Sequence, residues 1–183
     1  MASLAHLRLT DFRSYGRLDL DLSPGPVVLF GQNGAGKTNL MEAISMLSPG
    51  RGLRRAGLDA LVRVEEGKTA PAFGINARLD DETLISVGQV PDNPRRRVVR
   101  INQTNATAAQ LAELLTVQWL TPAQDRLFTG PESDRRKFLD RLALAFDPRH
   151  GVASLRYEKA RSERNRLLSD NVSDPMWYDA LEA

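Results

Sequence analysis

Residues 31–38 read GQNGAGKT, and Gly31, Gly36, Lys37 and Thr38 fit the pattern G-x-x-x-x-G-K-[ST]. Each position has a task in holding a polyphosphate. The glycines let backbone N–H groups turn inward toward phosphate oxygens. Lys37 has the reach and the charge for the β- and γ-phosphates. The Thr38 hydroxyl is a ligand for Mg²⁺, and a helix beginning here adds the positive end of its dipole. Gln32, Asn33, Gly34 and Ala35 supply the loop between the fixed positions. Such a loop holds a nucleotide but does not hydrolyse one. Hydrolysis needs a carboxylate to orient water, conventionally at the end of an apolar strand. The closest match is LALAFD, ending at Asp147. Its apolar residues continue a helical stripe that starts at Phe138, and Pro148 follows the aspartate, so it predicts an amphipathic helix.

The elements that must position this loop are legible in part. Val27 to Phe30 is an unbroken apolar run and predicts a strand covered on both faces, leading into the loop. Leu40, Ile44 and Leu47 recur at helical spacing and predict a helix over residues 37–47 leading out of it. Ahead of the loop, HLRLTDF and RLDLDLS alternate apolar and polar residues, as two half-buried strands joined through a turn at residues 14–16. GLDALVR predicts a short helix. AFGINARL, TLISVGQV and RRVVRIN predict antiparallel strands, with a turn at PDNP between the last two. TAAQLAELL reads as a helix and VQWLT as one more strand. From Pro122 onward the pattern is helical. Phe138, Leu139, Leu142 and Phe146 form one apolar stripe, a mostly charged helix covers about residues 148–169, and Pro175 takes the first position of a further helix. The chain stops inside that last pattern, as expected of a piece of something longer.

Composition narrows the classes. The 183 residues carry 42% hydrophobic and 26% charged side chains with a net charge of +2, ordinary values for a soluble globular chain. No apolar run approaches the roughly 18 residues of a membrane span. The N-terminus has polar residues where a signal peptide has its apolar core. There is no cysteine, hence no disulfide framework or thiolate metal site, and His6 and His150 are too isolated in sequence to build one from histidine. A cytoplasmic protein that does not enter the membrane is expected.

Three segments carry a resemblance to a known family. FGQNGAGKTNLMEAI, with Asn33-Gly34 before the last glycine and Asn39 after Thr38, resembles the loop of the ABC-type ATPase heads of the SMC and RecF families. The LxLxxFRSY start agrees. LTPAQDRLFTGPESDRRKFLDRL, with Pro122, Gly130, Arg135, Arg136, Phe138, Leu139 and Asp140, resembles the RecF family in particular. RYEKARSERNRLLSD is similar to that family's tyrosine followed by Arg-Asn-x-Leu-Leu. The family usually has glycine after the Ile-Asn pair at 101–102, where this chain has Gln103.

The resemblance implies an α/β fold: the ATPase-head lobe of a P-loop NTPase of ABC/SMC type, with an antiparallel β layer, followed by the start of a helical subdomain. Residues 1–120 would form an incomplete ATP-binding lobe and residues 121–183 an incomplete helical lobe. In the family a Walker B strand and an LSxGQ-like signature lie in the second half of the protein, and neither is found here. This chain alone is therefore expected not to hydrolyse ATP. The implied cofactors are ATP and Mg²⁺. The implied function is ATP-dependent DNA binding in recombinational repair, loading RecA at gaps with RecO and RecR, with two heads dimerising around ATP. The alternatives are an SMC-type structural head and a bare ATP-binding module. Against the former, residues 148–169 lack sustained heptad spacing. By resemblance Arg54, in LRRAGLDAL, lies near nucleotide and DNA; the competing expectation is a solvated basic loop. Arg135 and Arg136 meet DNA or γ-phosphate, or else pair with Asp134 and Asp140. Gln124, with Gln118 as the other candidate, takes the place of the glutamine that senses Mg²⁺. Arg95, Arg96, Arg97 and Arg100 are expected on a solvated edge strand, where charge resists edge-to-edge association.

Overall fold

The computed structural model of this chain describes residues 2–147 and 149–170. It divides into two compact units, Met1–Pro122 and Ala123–Ala183. The helix expected from Pro175 lies outside the described residues.

The first unit is built on a six-stranded antiparallel sheet. Strands β1 (Leu4–Phe12) and β2 (Tyr15–Asp21) form one hairpin. A two-stranded ribbon of β3 (Val64–Glu65) and β4 (Lys68–Thr69) stands apart. Strands β5 (Gly74–Leu79), β6 (Leu84–Val90), β7 (Asn93–Ile101) and β8 (Thr104–Asn105) complete the main sheet in the order β2-β1-β5-β6-β7-β8. Alternation decides its faces. Leu7 and Leu9 of β1, Ile75, Ala77 and Leu79 of β5, and Ile85 and Val87 of β6 point inward and are buried. The core is completed by Leu40, Ala43, Met46 and Leu47 of helix α1 (Lys37–Ser45 and its last turn) and by Leu111 and Leu115 at helix α2 (Ala108–Leu114). Phe12 and Phe73 meet edge to face at 5.5 Å. A capping box starts α2: Thr107 accepts from the Gln110 N–H, and the Gln110 side chain accepts from the Thr107 N–H. GLDALVR contributes a single 3₁₀ turn, Asp59–Leu61.

Gln103 has a structural explanation. Asn102 (φ 47°) and Gln103 (φ 68°) are both left-handed in the two-residue turn between β7 and β8, with Ile101 paired to Thr104. Hairpin turns of this length need positive φ at both central residues. Glycine there avoids a steric cost of roughly 1–2 kcal/mol, which Gln103 bears.

Two expected strands do not form. Val27–Phe30 leads into the loop in sequence but joins no sheet among the described residues. Val28 and Phe30 are 81% and 92% exposed. An apolar run becomes a strand only where another strand offers its hydrogen-bonding edge, and none of the described strands does. VQWLT is irregular between α2 and Pro122.

A 3₁₀ turn, Pro122–Arg126, begins at the last residue of the first unit, and the second unit continues with helices α3 (Glu132–Phe146) and α4 (His150–Ser169). LALAFD is the end of α3, as the periodicity predicts, with Asp147 capping it and hydrogen-bonded to Arg149. The apolar stripe of α3 is not buried: Leu139 and Phe146 are exposed and no residue of α3 is fully covered. Periodicity located the stripe correctly, but whether it is covered depends on what packs against it.

Candidate nucleotide-binding site

The loop before α1 turns through three glycines of positive φ: Gly31 (144°), Gly34 (88°) and Gly36 (94°). Gly36 is the N-cap of α1, and the Leu40 N–H donates to its carbonyl at 3.0 Å. A side chain there is excluded twice. Its φ is left-handed, and a Cβ would lie 2.7 Å from the Tyr15 hydroxyl oxygen and 3.1 Å from Ser14 Oγ. The β1–β2 turn therefore forms one wall of the loop, and burial raises the pKa of the Tyr15 phenol. Lys37 lies across the loop, its Nζ donating to the carbonyls of Gly31 and Gln32 at 2.8 Å each. Residues 31–35 and Thr38 are exposed, so the loop's backbone is open to a ligand. Gly36→Ala is expected to cost about 1–3 kcal/mol from backbone strain and crowding together, read as a lower urea midpoint with unchanged slope.

Behind the loop lies a charged cluster that sequence reading missed. Glu42, on the buried side of α1, is 0% exposed. Arg13 grips it with two bonds, Nε to Oε2 at 2.9 Å and Nη2 to Oε1 at 3.0 Å. Arg54 Nη1 donates to Oε2 at 2.8 Å and to Asn39 Oδ1 at 2.8 Å. Asn39 in turn donates from Nδ2 to Ser14 Oγ at 2.9 Å. Two backbone features allow this. Arg13 adopts φ 52° in the β1–β2 turn, and its N–H donates to the Leu61 carbonyl. Gly52 has φ 67°, and a Cβ on it would lie 2.7 Å from Met46 Sδ, so the segment after α1 folds back tightly and delivers Arg54 to Glu42. One signal could have found Glu42: it is the single charge between Leu40, Ala43, Met46 and Leu47, on the apolar side of the helix.

The arginines of β7 divide. Arg95, Arg96 and Arg100 are exposed, as expected. Arg97 is not a solvated edge charge. Its Nη1 donates to the Gly50 carbonyl at 2.7 Å and its Nη2 to the carbonyls of Met46 and Ser48. It thus neutralises the C-terminal end of α1, where the helix dipole is negative. Burial pulls its pKa down to about 10, which leaves it charged at neutral pH. The solvated edge expected for Arg97 is therefore corrected: the end of α1 packs against β7 and supplies its carbonyl partners.

The remaining expected residues lie in the second unit. Arg135 Nη1 donates to the Gly130 carbonyl at 2.9 Å. Arg136 pairs with Asp140 at 3.7 Å and with Glu158 of α4 at 3.3 Å, and its guanidinium stacks 3.7 Å from the Tyr157 ring centre. It fastens α3 to α4. Gln124 sits in the 3₁₀ turn that opens the unit.

A family model described as the RecF/RecN/SMC N terminal domain matches residues 3–133. A DNA replication and repair protein RecF of Mesorhizobium japonicum is 52% identical over 187 residues, covering 98% of this chain and 48% of that protein. The protein of the same name in Brucella abortus is 49% identical, covering 98% of this chain and 47% of its own length. The chain thus spans about half the length of the curated relatives it matches. Among solved structures, the recombination mediator protein RecF with ATP in the RecFOR pathway superposes with a TM-score of 0.75 at 27% identity, over 92% of this chain and 45% of that one. Another RecF structure of the same pathway superposes with a TM-score of 0.84 at 23% identity, over 98% of this chain and 49% of that one. A structure from work on SMC ATPases shares the fold at a TM-score of 0.58, with 21% identity, over 76% of this chain and 98% of its own.

Proposed function

Because this chain belongs to the RecF/RecN/SMC family, we propose that it is the nucleotide-binding part of a RecF protein, an ATP-dependent DNA-binding protein of recombinational repair and replication. The observation that carries the nucleotide reading is the loop: three glycines of positive φ, with Gly36 held against Tyr15 so that no side chain fits. That is the shape a polyphosphate needs, and the residues present fit the group. Backbone N–H groups from Gln32 to Gly36 would hold phosphate oxygens, and Lys37 would exchange its loop carbonyls for the β- and γ-phosphates. Thr38, exposed on the first turn of α1, would hold Mg²⁺. When bound, ATP and its Mg²⁺ supply a compact, highly charged group able to hold two heads together. The chain's own residues bind and orient it: Ser14 and Tyr15 wall the loop, and Arg97 fastens the far end of α1 to the sheet.

DNA, RecO and RecR as partners and an ATP-dependent dimer of heads are carried over from the relatives, while the γ-phosphate or DNA roles of Arg54, Arg135 and Arg136 and the Mg²⁺ role of Gln124 rest on the resemblance of their segments to that family. A cytoplasmic location accords with this reading; no helix among the described residues is long and apolar enough to cross a membrane. The experiment is DNA binding by the full-length protein, followed by fluorescence anisotropy with ATP, with ADP and without nucleotide. Binding is expected to rise with ATP. Equal affinity in all three conditions would reduce the protein to a nucleotide-binding module without a DNA switch.

A further inference from the structure

We propose that a bulge between β6 and β7 is a contact point for the DNA backbone, with Arg95 and Arg96 meeting phosphates and Gln89 and Arg97 as the residues that position them. This rests on the reading that the protein binds DNA. The register of the two strands creates the bulge. Gln89 of β6 pairs with Arg97 of β7, and the next residue, Val90, pairs with Asn93. Pro94, Arg95 and Arg96 therefore stand outside the ladder. That cancels the alternation which would send the two arginines to opposite faces, and both are exposed. Two largely covered polar side chains brace the bulge from inside. Gln89, 8% exposed, donates from Nε2 to the Pro94 carbonyl. Arg97, directly opposite, holds the carbonyls of Met46, Ser48 and Gly50 at the end of α1.

Protection of a sheet edge does not call for so much. The short strand β8 pairs only with Arg100 and Ile101, so the rest of β7 lies at an edge. One charge or one plain bulge is enough to blunt an edge. Here the brace itself is costly: Gln89 Oε1 and Arg97 Nε are buried with no hydrogen-bond partner among the described residues. The charge on the bulge is also uncommitted. Arg8, Arg17 and Arg78, on the same sheet, each pair with a carboxylate. Arg95 and Arg96 have no such partner among the described residues. Two adjacent guanidinium groups held out of a sheet suit neighbouring oxygens of a polyanion, and arginine's planar fork matches phosphate. Arg97 adds a connection to the nucleotide. It grips the far end of the helix that begins at the glycine loop, so a nucleotide that moves α1 moves the base of the bulge with it.

The test uses the full-length protein at saturating ATP, with DNA affinity read by fluorescence anisotropy across a salt series. The double variant Arg95→Gln with Arg96→Gln is expected to bind about tenfold more weakly, with a salt slope flattened by about two phosphate contacts. Arg100→Gln removes an exposed arginine of the same strand away from the bulge and should leave the slope near that of the wild type. Arg97→Met should weaken DNA binding as well, yet add nothing once Arg95 and Arg96 are glutamine. Val99→Ala, which opens a cavity at a buried position of the same strand, should lower the urea midpoint and leave the slope alone, so an effect of stability by itself is recognised. Should Arg97→Met not fold, Gln89→Leu reads the same coupling. Unchanged affinity and slope in the double variant, with or without self-association, would make the bulge a guarded sheet edge and overturn the contact. An equal loss from Arg100→Gln would overturn the bulge as a discrete contact point. Additive losses from Arg97→Met and the double variant would overturn the positioning. A wild-type protein that binds no DNA would remove the reading beneath the proposal and the proposal with it, whereas a wild type that binds beside an indifferent double variant sinks the proposal alone.

Discussion

Lys37→Ala is expected to weaken ATP binding on the order of hundredfold while leaving the fold intact. Two charge-assisted contacts, one to each of the last two phosphates, are worth about 1.5 kcal/mol apiece, and their loss multiplies to that factor. The stability cost is small because, among the described residues, the ammonium of Lys37 donates to two exposed loop carbonyls, those of Gly31 and Gln32, which water can satisfy. The urea midpoint should move by less than the equivalent of about 1 kcal/mol. Calorimetric titration of ATP and ADP into both proteins, beside urea melts, checks both halves. Equal ATP binding by wild type and variant would remove Lys37 from the site. Weak binding together with a collapsed melt would mean that the loop needs the lysine in order to fold.

Glu42→Ala should have the opposite profile, a large stability loss of about 3–5 kcal/mol, the usual consequence of removing one member of a buried ion pair. The carboxylate is fully covered and holds Arg13, whose side chain is only 22% exposed. Deleting it strands the Arg13 guanidinium without a counter-charge, whereas Arg54 can swing into water. Removing the pair together is milder: Glu42→Leu with Arg13→Met should recover most of the loss, because no buried charge is then left alone. Denaturant unfolding of the single and double variants gives the comparison. A double variant no more stable than Glu42→Ala would mean that packing, not charge balance, makes this site costly to change.

The two predictions mark the boundary between what a sequence carries and what packing adds. The turns of the loop before α1 were legible because their requirements are local. Positive φ at Gly31, Gly34 and Gly36 and a cation one residue later are conditions on neighbouring residues, and the residue types state them directly. The alternating strands β1, β2, β5, β6 and β7 were legible for the same reason, since a period of two is a property of each strand and its inward face. So was LALAFD, whose helical period outweighed its likeness to a catalytic strand.

Pairing and covering were not legible, because they depend on a second segment. Val27–Phe30 has a buried strand's composition but no neighbour among the described residues, so it stays exposed. The α3 stripe has the right period, yet Leu139 and Phe146 stay exposed and Phe138 and Leu142 are only half-buried. Arg97 and Arg96 are adjacent in the chain, yet the first clamps three carbonyls at the end of α1 and the second meets water. Glu42 stood out only as a charge on the apolar side of α1; its partners were not legible, because the β1–β2 turn and the segment after α1 bring Arg13 and Arg54 to the same carboxylate from 29 and 12 residues away. The sequence by itself determined the glycine turns of the loop before α1 and which face of each strand turns inward. Only the tertiary structure decided which charges are buried, because a buried charge persists only where distant parts of the chain supply its partner.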